Sequence, residues 1–227
     1  METNTTIEKL RNEAARFLRQ YCIVVNGVTL YPKEIEVYYF KKDVFEDDSV
    51  HRNKLQKNRQ YQFYVHRYGV EDTAPYKGGN RPGVDFVVSG DDCCFYTLLL
   101  RTVAFENEKP IIGPNNVLKA IAERTKLNYE KLESVNCELK TIDNVMCDVG
   151  FSERVNLGKT VSEQFKAAPL RAVLLDEYFA ATKYLKKEKL VVGMLLKKIQ
   201  QSVVSKEQAL EHSKNILGYC PSALKTI

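Results

Sequence analysis

The sequence lacks the patterns that mark the commonest nucleotide-binding and esterase sites. It has no GxxxxGK[ST], GxGxxG or GxSxG segment, so we expect neither a glycine-rich phosphate loop nor a serine nucleophile on a sharp turn. Its six cysteines form no CxxC pair and share no metal-ligand spacing with the three histidines. We therefore expect reduced, mostly buried thiols of a cytoplasmic protein, with no metal and no cofactor.

The sequence also lacks long apolar runs. None reaches the roughly 18 residues that a membrane span requires, and the first twenty residues carry charges where a secretory signal would be hydrophobic. We expect no membrane partner. Hydrophobic residues make up 44% of the 227 residues and charged residues 28%, which is ordinary for one folded domain or one domain with an appendage.

Negative charge is missing from one segment, residues 49–70, which we call the acid-free window. It holds five basic residues, interleaved with aromatic ones: Arg52, Lys54, Lys57, Arg59 and Arg67, with Tyr61, Phe63, Tyr64 and Tyr68. Basic side chains neutralise phosphates and aromatic faces stack on bases, so the window predicts nucleic-acid binding. The alternative is a solvated loop followed by a strand whose aromatic side chains pack in the core.

Hydrophobic periodicity and turn residues predict an α+β chain. Thr5 or Thr6 is expected to cap a helix running to about Gln20, and a helix should start at Gly113-Pro114. Strands are expected around 22–25, 34–40, 61–68, 84–89 and 95–104, with tight turns at 26–27 and 89–92. The segment 71–83 is a predicted loop, and after about Val173 the chain is expected to be helical and lysine-rich.

The strand predicted at 34–40 is followed by an acidic cluster and a histidine. Its alternation places Glu34, Glu36 and Tyr38 on one face. Four further segments follow in this order: Tyr64-Val65-His66-Arg67-Tyr68-Gly69, Leu99-Leu100-Arg101-Thr102, Gly113-Pro114-Asn115-Asn116-Val117-Leu118-Lys119-Ala120-Ile121, and Arg154-Val155-Asn156-Leu157 with Pro169-Leu170-Arg171-Ala172.

This order resembles the alkyladenine (3-methyladenine) DNA glycosylases. In those proteins T-E-A-Y precedes an acidic cluster and a His, and a Y-V-Y…Y-G hairpin follows. A strand ending L-L-R-A, a helix start G-P-x-K-L-x-x-A-L and the pair R-I-G-I…P-W-R-F come next. The resemblance covers about residues 20–175. It implies a methylpurine DNA glycosylase-like domain at 1–175, built on a curved, mostly antiparallel sheet with flanking helices. Residues 176–227 match no segment of the family and are expected to form a helical C-terminal extension.

The resemblance also implies roles for individual residues. Glu36 would activate the water that attacks the sugar, and Arg101 would hold that water or Glu36. A flipped base would be bound by an aromatic and polar set, comprising Tyr38, His51, Tyr64, His66 and Val87, while Tyr68 would fill the gap in the duplex. No lysine is expected in this hydrolysis, and Glu34→Gln is expected to be nearly silent. Aromatic rings would favour cationic alkylpurines.

The chain departs from the family in four ways. Val87 stands where the family has an Asn, and His66, or Val65 if the gap is placed differently, stands where it has the second Tyr of Y-V-Y. The family's R-N-x-x-M-F…P-G stretch is replaced by the shorter segment 53–60, and the loop 71–83 is extra. We interpret the chain as a monomeric, monofunctional glycosylase acting on alkylated or otherwise damaged purines in double-stranded DNA. The alternatives are a non-catalytic nucleic-acid-binding protein on the same fold, and an unrelated enzyme that acts on a small molecule.

Overall fold

The computed structural model describes residues 2–106 and 108–226, which form helices and one sheet. The helices are α1 (Glu2–Gln20), α2 (Pro114–Thr125), α3 (Tyr129–Ser134), α4 (Glu163–Ala167), α5 (Lys187–Gln200), α6 (Lys206–Leu217) and α7 (Ser222–Lys225). The strands are β1 (Tyr21–Val25), β2 (Val28–Lys41), β3 (Phe45–Glu46), β4 (Phe63–Val65), β5 (Val84–Gly90), β6 (Cys94–Phe105), β7 (Ile111–Ile112), β8 (Glu138–Thr141), β9 (Asp148–Ser152) and β10 (Arg171–Leu175). A short 3-10 helix covers Lys54–Gln56.

The ten strands of the described residues form a single curled sheet. Its main order is β4-β5-β6-β2-β1-β8, and every pairing found in it is antiparallel. The long strand β2 pairs with β6 along its length and with β1, β3 and β10 over shorter parts. The predicted α+β class, with a curved antiparallel sheet and flanking helices, is confirmed.

An irregularity in the pairing of β2 with β6 shapes the middle of the sheet. The register shifts on both sides of Glu34, so that Glu34 lies opposite Thr102 while Ile35 lies opposite Leu100. A bulge of this kind redirects side chains next to it. Here it lets two consecutive residues of β6, Arg101 and Thr102, both contact the Glu34 carboxylate.

The main core lies between the sheet and the helices α1 and α2. Phe17 of α1 packs against Phe86 of β5, with ring centroids 5.8 Å apart. On α2, Val117, Leu118 and Ile121 have no exposed surface and belong to this core. The predicted start of α2 is also confirmed, because Pro114 is its first residue.

The C-terminal helices have a second hydrophobic cluster. Leu190, Val191 and Leu195 of α5 pack there with Ala209 of α6 and with Val173 of β10. The helix α5 also approaches β9 closely, since a Cβ added at Gly150 would lie 3.0 Å from the Leu190 side chain. The helices α5–α7 therefore pack on the sheet.

Several predicted boundaries differ from the structure. Helix α1 already begins at Glu2, so Thr5 and Thr6 lie inside it and do not cap it. The strand expected at 61–68 is reduced to β4, because Tyr61 has a positive φ of 59°. The chain at Val173 is a strand, and the helical part starts only at Lys187.

The six cysteines lie in the described residues and are free thiols, as expected. The expectation that most are buried is wrong: only Cys22 and Cys137 are buried, and Cys93 is exposed in the turn between β5 and β6. None of the described helices is long and apolar enough to cross a membrane.

The acid-free window contacts the sheet at Gly90, and we expect this position to tolerate no side chain. A Cβ there would lie 1.9 Å from the carbonyl oxygen of Gln56, so the backbone would have to move. Gly90→Ala should lower the free energy of unfolding by about 1–3 kcal/mol or more, measured by denaturant unfolding. The control is Gly78→Ala, because nothing lies within 4 Å of a Cβ at Gly78. Equal stability of the two variants would contradict this packing.

Candidate active site

A cavity of about 700 Å³ opens on one face of the curled sheet. The described residues that line it come from β2, β5 and β6, from the first residue of α2 and from three loops. They are Glu36, Tyr38, Asp48, Ser49, His51, His66, Tyr68, Lys77, Asn80, Arg81, Pro82, Asp85, Leu99, Arg101, Pro114, Val155, Asn156, Leu157, Gly158 and Val161. It therefore gathers residues that are more than a hundred positions apart in the sequence.

Six of the eight residues predicted for catalysis or base binding line this cavity. They are Glu36, Tyr38, His51, His66, Tyr68 and Arg101. The other two, Tyr64 and Val87, have no exposed surface and are not among the lining residues.

The β5 residue that lines the cavity is Asp85, which lies opposite Leu99, and Leu99 in turn lies opposite Glu36. Neighbouring strands are about 4.8 Å apart, so the Cα atoms of Glu36 and Asp85 are separated by about 10 Å.

The Glu36 carboxylate is fixed by three donors. The backbone N–H of Val155 donates to Oε1 at 2.8 Å, and the Tyr38 hydroxyl donates to Oε2 at 3.0 Å. Arg101 Nη1 lies 3.5 Å from Oε1. Glu36 forms part of the cavity wall but has no exposed surface. Burial and the neighbouring Glu36 charge raise the pKa of Tyr38 well above its ordinary value, so this hydroxyl keeps its proton.

The neighbouring carboxylate, Glu34, has a structural role that the sequence did not reveal. Its Oε1 accepts from Arg101 Nε at 3.0 Å and from Arg171 Nε at 2.7 Å, and its Oε2 accepts from the Thr102 hydroxyl at 2.6 Å. Arg171 is fully buried and also donates to the carbonyl of Leu185. Glu34 therefore joins β2, β6 and β10 to the segment before α5.

A second buried ion pair holds the loop that follows β9. Arg154 Nη1 donates to Asp47 Oδ2 at 2.6 Å, and its Nη2 donates to the carbonyl of Phe165. The guanidinium also stacks over the Tyr38 ring, 4.8 Å from its centroid. Arg154 thus places the next residue, Val155, where its N–H reaches Glu36. Within the acidic cluster, Asp47 is structural and Asp48 lines the cavity.

His51 lies between a tyrosine and a lysine. Its Nδ1 is 3.3 Å from the Tyr64 hydroxyl, and its Nε2 is 2.8 Å from Lys77 Nζ. Burial, together with the charges of His66 and Lys77, lowers the pKa of His51 to about 3. The imidazole is therefore neutral near pH 7, and Nε2 accepts the hydrogen bond from Lys77.

His66 forms a buried pair with Asp85. Its Nε2 lies 2.7 Å from Asp85 Oδ1, and the Thr97 hydroxyl donates to Asp85 Oδ2 at 3.0 Å. Burial by itself raises the pKa of the Asp85 carboxyl. The charge and hydrogen bond of His66 outweigh burial, so the pKa lies below its ordinary value. The rings of His66 and His51 are in edge contact, 4.7 Å between centroids.

The loop 71–83 closes one side of the cavity and supplies basic groups that the sequence did not predict. Its Lys77, Asn80 and Arg81 all line the cavity. The loop is tied to the chain after β4, because Tyr68 N–H donates to the carbonyl of Pro75 and Lys77 N–H donates to that of His66. Tyr68 itself lines the cavity and is 47% exposed.

The five basic residues of the acid-free window fall into two groups. Arg59 donates to the carbonyl of Glu133, and Arg67 forms a buried ion pair with the Glu133 carboxylate at 2.6 Å. These two arginines hold α3 against β4 and present no free guanidinium. The second group lies at the surface: Lys54 pairs with Glu71, Lys57 pairs with Asp92, and exposed Arg52 stacks over Phe40.

Residues that matter to the site but were not predicted include Glu34, Lys77, Asp85 and Arg154. Two of them could have been identified from the sequence, because Glu34 shares the strand face of Glu36 and Arg154 begins the segment that resembles R-I-G-I. In the described parts of the chain, no group of three or more His, Cys, Asp or Glu residues could hold a metal ion. No protein-family model and no curated protein matches the sequence.

The ion pairs of Glu34 should be essential to the fold. Glu34→Gln removes the charge that two buried guanidiniums share, and breaking a buried pair typically costs about 3–5 kcal/mol. We expect a loss of that size in the free energy of unfolding, measured with urea. From the sequence, Glu34→Gln was expected to be nearly silent. Because the Glu34 side chain is buried, we now expect this substitution to destabilise the protein.

The control for Glu34 is Glu163→Gln, which breaks the exposed pair with Lys166. An exposed pair contributes about 0–1 kcal/mol. If both variants unfold at the same urea concentration as the wild type, the Glu34 network does not stabilise the protein.

The burial of His51 should make stability depend on pH. Its folded pKa of about 3 lies below the ordinary 6.5, so between these values the unfolded state binds the proton more readily. The contribution of His51 is complete above pH 6.5 and is lost as the pH falls towards 3. Unfolding measured across this range should show a steeper fall for the wild type than for His51→Gln, by up to about one proton.

Comparison with a variant is required because the lowered pKa of Glu153, about 2, gives a change of the same sign. His212→Gln, which changes an exposed histidine, should follow the wild-type curve. Parallel curves for wild type and His51→Gln would show that His51 takes up its proton without loss of stability.

Proposed function

We propose that the protein is a DNA glycosylase that hydrolyses the N-glycosidic bond of a damaged purine in double-stranded DNA. The observation that carries this proposal is the single cavity that gathers Glu36, Arg101, Tyr38 and His51. These residues come from separate segments of the sequence, between positions 36 and 101. The likeness to the methylpurine DNA glycosylase fold is part of the same proposal.

The reaction needs the target base outside the duplex and inside a pocket. Tyr38 and the two histidines offer one aromatic and two imidazole faces to a flipped base, and exposed Tyr68 takes the place of that base in the stack. Glu36, on a rigid strand, accepts the proton of the attacking water. Arg101, held by Glu34, orients Glu36 and balances its charge. Water is the only nucleophile of this step, so base release itself is monofunctional.

A site for the water requires a local change at Glu36. Both of its oxygens already accept hydrogen bonds, and the side chain has no exposed surface. A carboxylate oxygen can accept more than one hydrogen bond, so a water can join if Val155 or Tyr38 moves aside when DNA binds. The complete burial of Glu36 is also the one observation that favours the alternative, a non-catalytic nucleic-acid-binding protein on the same fold.

The surface that would contact the duplex is smaller than the sequence suggested. Arg52, Lys54 and Lys57 lie at the surface, and their acidic partners are exposed enough to be exchanged for phosphates. Arg81 extends this basic surface to the mouth of the cavity. Binding through such residues falls steeply with salt, because each phosphate contact releases counterions.

The decisive variant is Glu36→Gln, which keeps the shape of the side chain but cannot take a proton. Base release from lesion-containing duplex should fall by about 10²–10⁴-fold, while binding is kept or strengthened because a negative charge near phosphate is lost. Single-turnover release of alkylated, deaminated or oxidised purines measures the first quantity, and filter binding measures the second.

The matched control is Glu46→Gln, an exposed glutamate on β3 that does not line the cavity, and it should behave as the wild type. Salt-dependent binding without base release from any lesion would replace the catalytic proposal by the binding one. Absence of binding even at low salt would reject both.

A further inference from the structure

The cavity contains one primary amine, Lys77, that the hydrolytic step does not use. Its Nζ lies 2.8 Å from His51 Nε2, and its backbone N–H donates to the carbonyl of His66. The side chain is half-buried and lines the same cavity as Glu36. Both ends of the residue are thus held, and the amine points into the space assigned to the nucleotide.

The surroundings of this amine differ from those of the other lysines in the site region. Lys54 and Lys57 each pair with a carboxylate, whereas no ion pair of Lys77 is found within the described parts of the chain. Its hydrogen-bond partner is the neutral imidazole of His51. Burial lowers the pKa of Lys77, the nearby Arg81 charge lowers it further, and Asp85 opposes the shift. An amine that loses its proton readily is a nucleophile for carbonyl carbon.

We propose that Lys77 is the nucleophile of a second reaction in this cavity, the cleavage of the DNA strand at an abasic site through an imine. The inference rests on the proposed function, because hydrolysis of the glycosidic bond leaves in the cavity a deoxyribose whose ring opens to an aldehyde. This inference departs from the expectation of a monofunctional enzyme, whereas base release by water, without a lysine, stays as proposed.

The reaction requires no oxidant, reductant or metal. The Lys77 amine adds to the aldehyde carbon C1′, and loss of water gives a protonated imine. A base removes a proton from C2′, and the electron pair of that C–H bond becomes a C2′=C3′ double bond conjugated with the imine. The C3′–O bond breaks at the same time, and its electron pair leaves with the 3′ phosphate. Hydrolysis of the imine then restores the amine.

Two groups of the cavity can serve this sequence. Glu36, which hydrolysis places beside C1′, can take the C2′ proton. His51 accepts the hydrogen bond of the Lys77 ammonium and so keeps the amine directed into the cavity. Lys77 and Glu36 line the same cavity, and the flexible stem of Lys77 lets its amine move within that cavity.

The test uses the full chain and a duplex oligonucleotide with one preformed aldehydic abasic site. Sodium borohydride reduces an imine to a stable amine, so the wild type should form a covalent complex seen on a denaturing gel. Peptide mapping should locate the DNA on Lys77. Lys77→Arg keeps the charge but forms no imine, and its complex should fall to the level obtained with a tetrahydrofuran abasic analogue, which has no aldehyde.

Lys214→Arg is the matched control, because Lys214 is exposed on α6 and does not line the cavity, and it should keep the wild-type yield. A complex that persists in Lys77→Arg, or one mapped to another amine, overturns the inference. Thermal unfolding of each variant shows whether it folds, and if Lys77→Arg does not, the mapping of the wild-type complex decides.

Base release from lesion duplexes, measured in parallel, separates this inference from the proposed function. Release without trapping rejects the role of Lys77 and keeps the glycosylase. Trapping on Lys77 without release from any lesion rejects the glycosylase and keeps the reaction at the abasic site.

Discussion

The arrangement of the site depends on one buried charge, the Glu34 carboxylate. It binds Arg101 from β6 and Arg171 from β10, so three strands are joined at one point. Removing a carboxylate from water costs several kcal/mol, and this is offset only when its hydrogen bonds are complete. Glu34 meets that condition with two guanidiniums and the Thr102 hydroxyl. The β-bulge that flanks Glu34 is what brings Arg101 and Thr102 to the same carboxylate.

Glu36 takes its environment from this arrangement. Arg101 is held by Glu34 through Nε and extends Nη1 towards Glu36, and Arg171 lies opposite Glu36 in the pairing of β10 with β2. On the other side, the pair of Arg154 with Asp47 fixes the loop whose Val155 N–H binds Glu36. Each carboxylate of the strand face therefore has a guanidinium, and only Glu36 reaches the cavity.

Much of the fold could be predicted because it depends on short-range sequence patterns, such as hydrophobic alternation in strands and the residues at helix starts. The alternation in 34–40 gave the strand face of Glu36, and Gly113-Pro114 gave the start of α2. The order of segments gave six of the cavity residues. The positions that were missed depend on long-range contacts. Arg67 carries the same charge as Lys54, yet it is buried because Glu133, more than sixty residues away, lies at its side. Tyr64 and Val87 were expected to contact the base, but both are fully buried, and the Tyr64 hydroxyl contacts His51 instead.

The loop 71–83 shows the same limit and changes the chemistry of the cavity. In the sequence, this loop is an insertion relative to the glycosylase family that the chain resembles. In the structure it carries Lys77 and Arg81 to the wall that faces His51 and His66. The cavity then has a carboxylate with its guanidinium on one side, and an amine, two imidazoles and Asp85 on the other. A pocket built only of aromatic rings favours a cationic base, whereas the Arg81 guanidinium repels it. In the proposed glycosylase, the loop would therefore act against cationic alkylpurines and favour neutral bases and the sugar that remains after they leave.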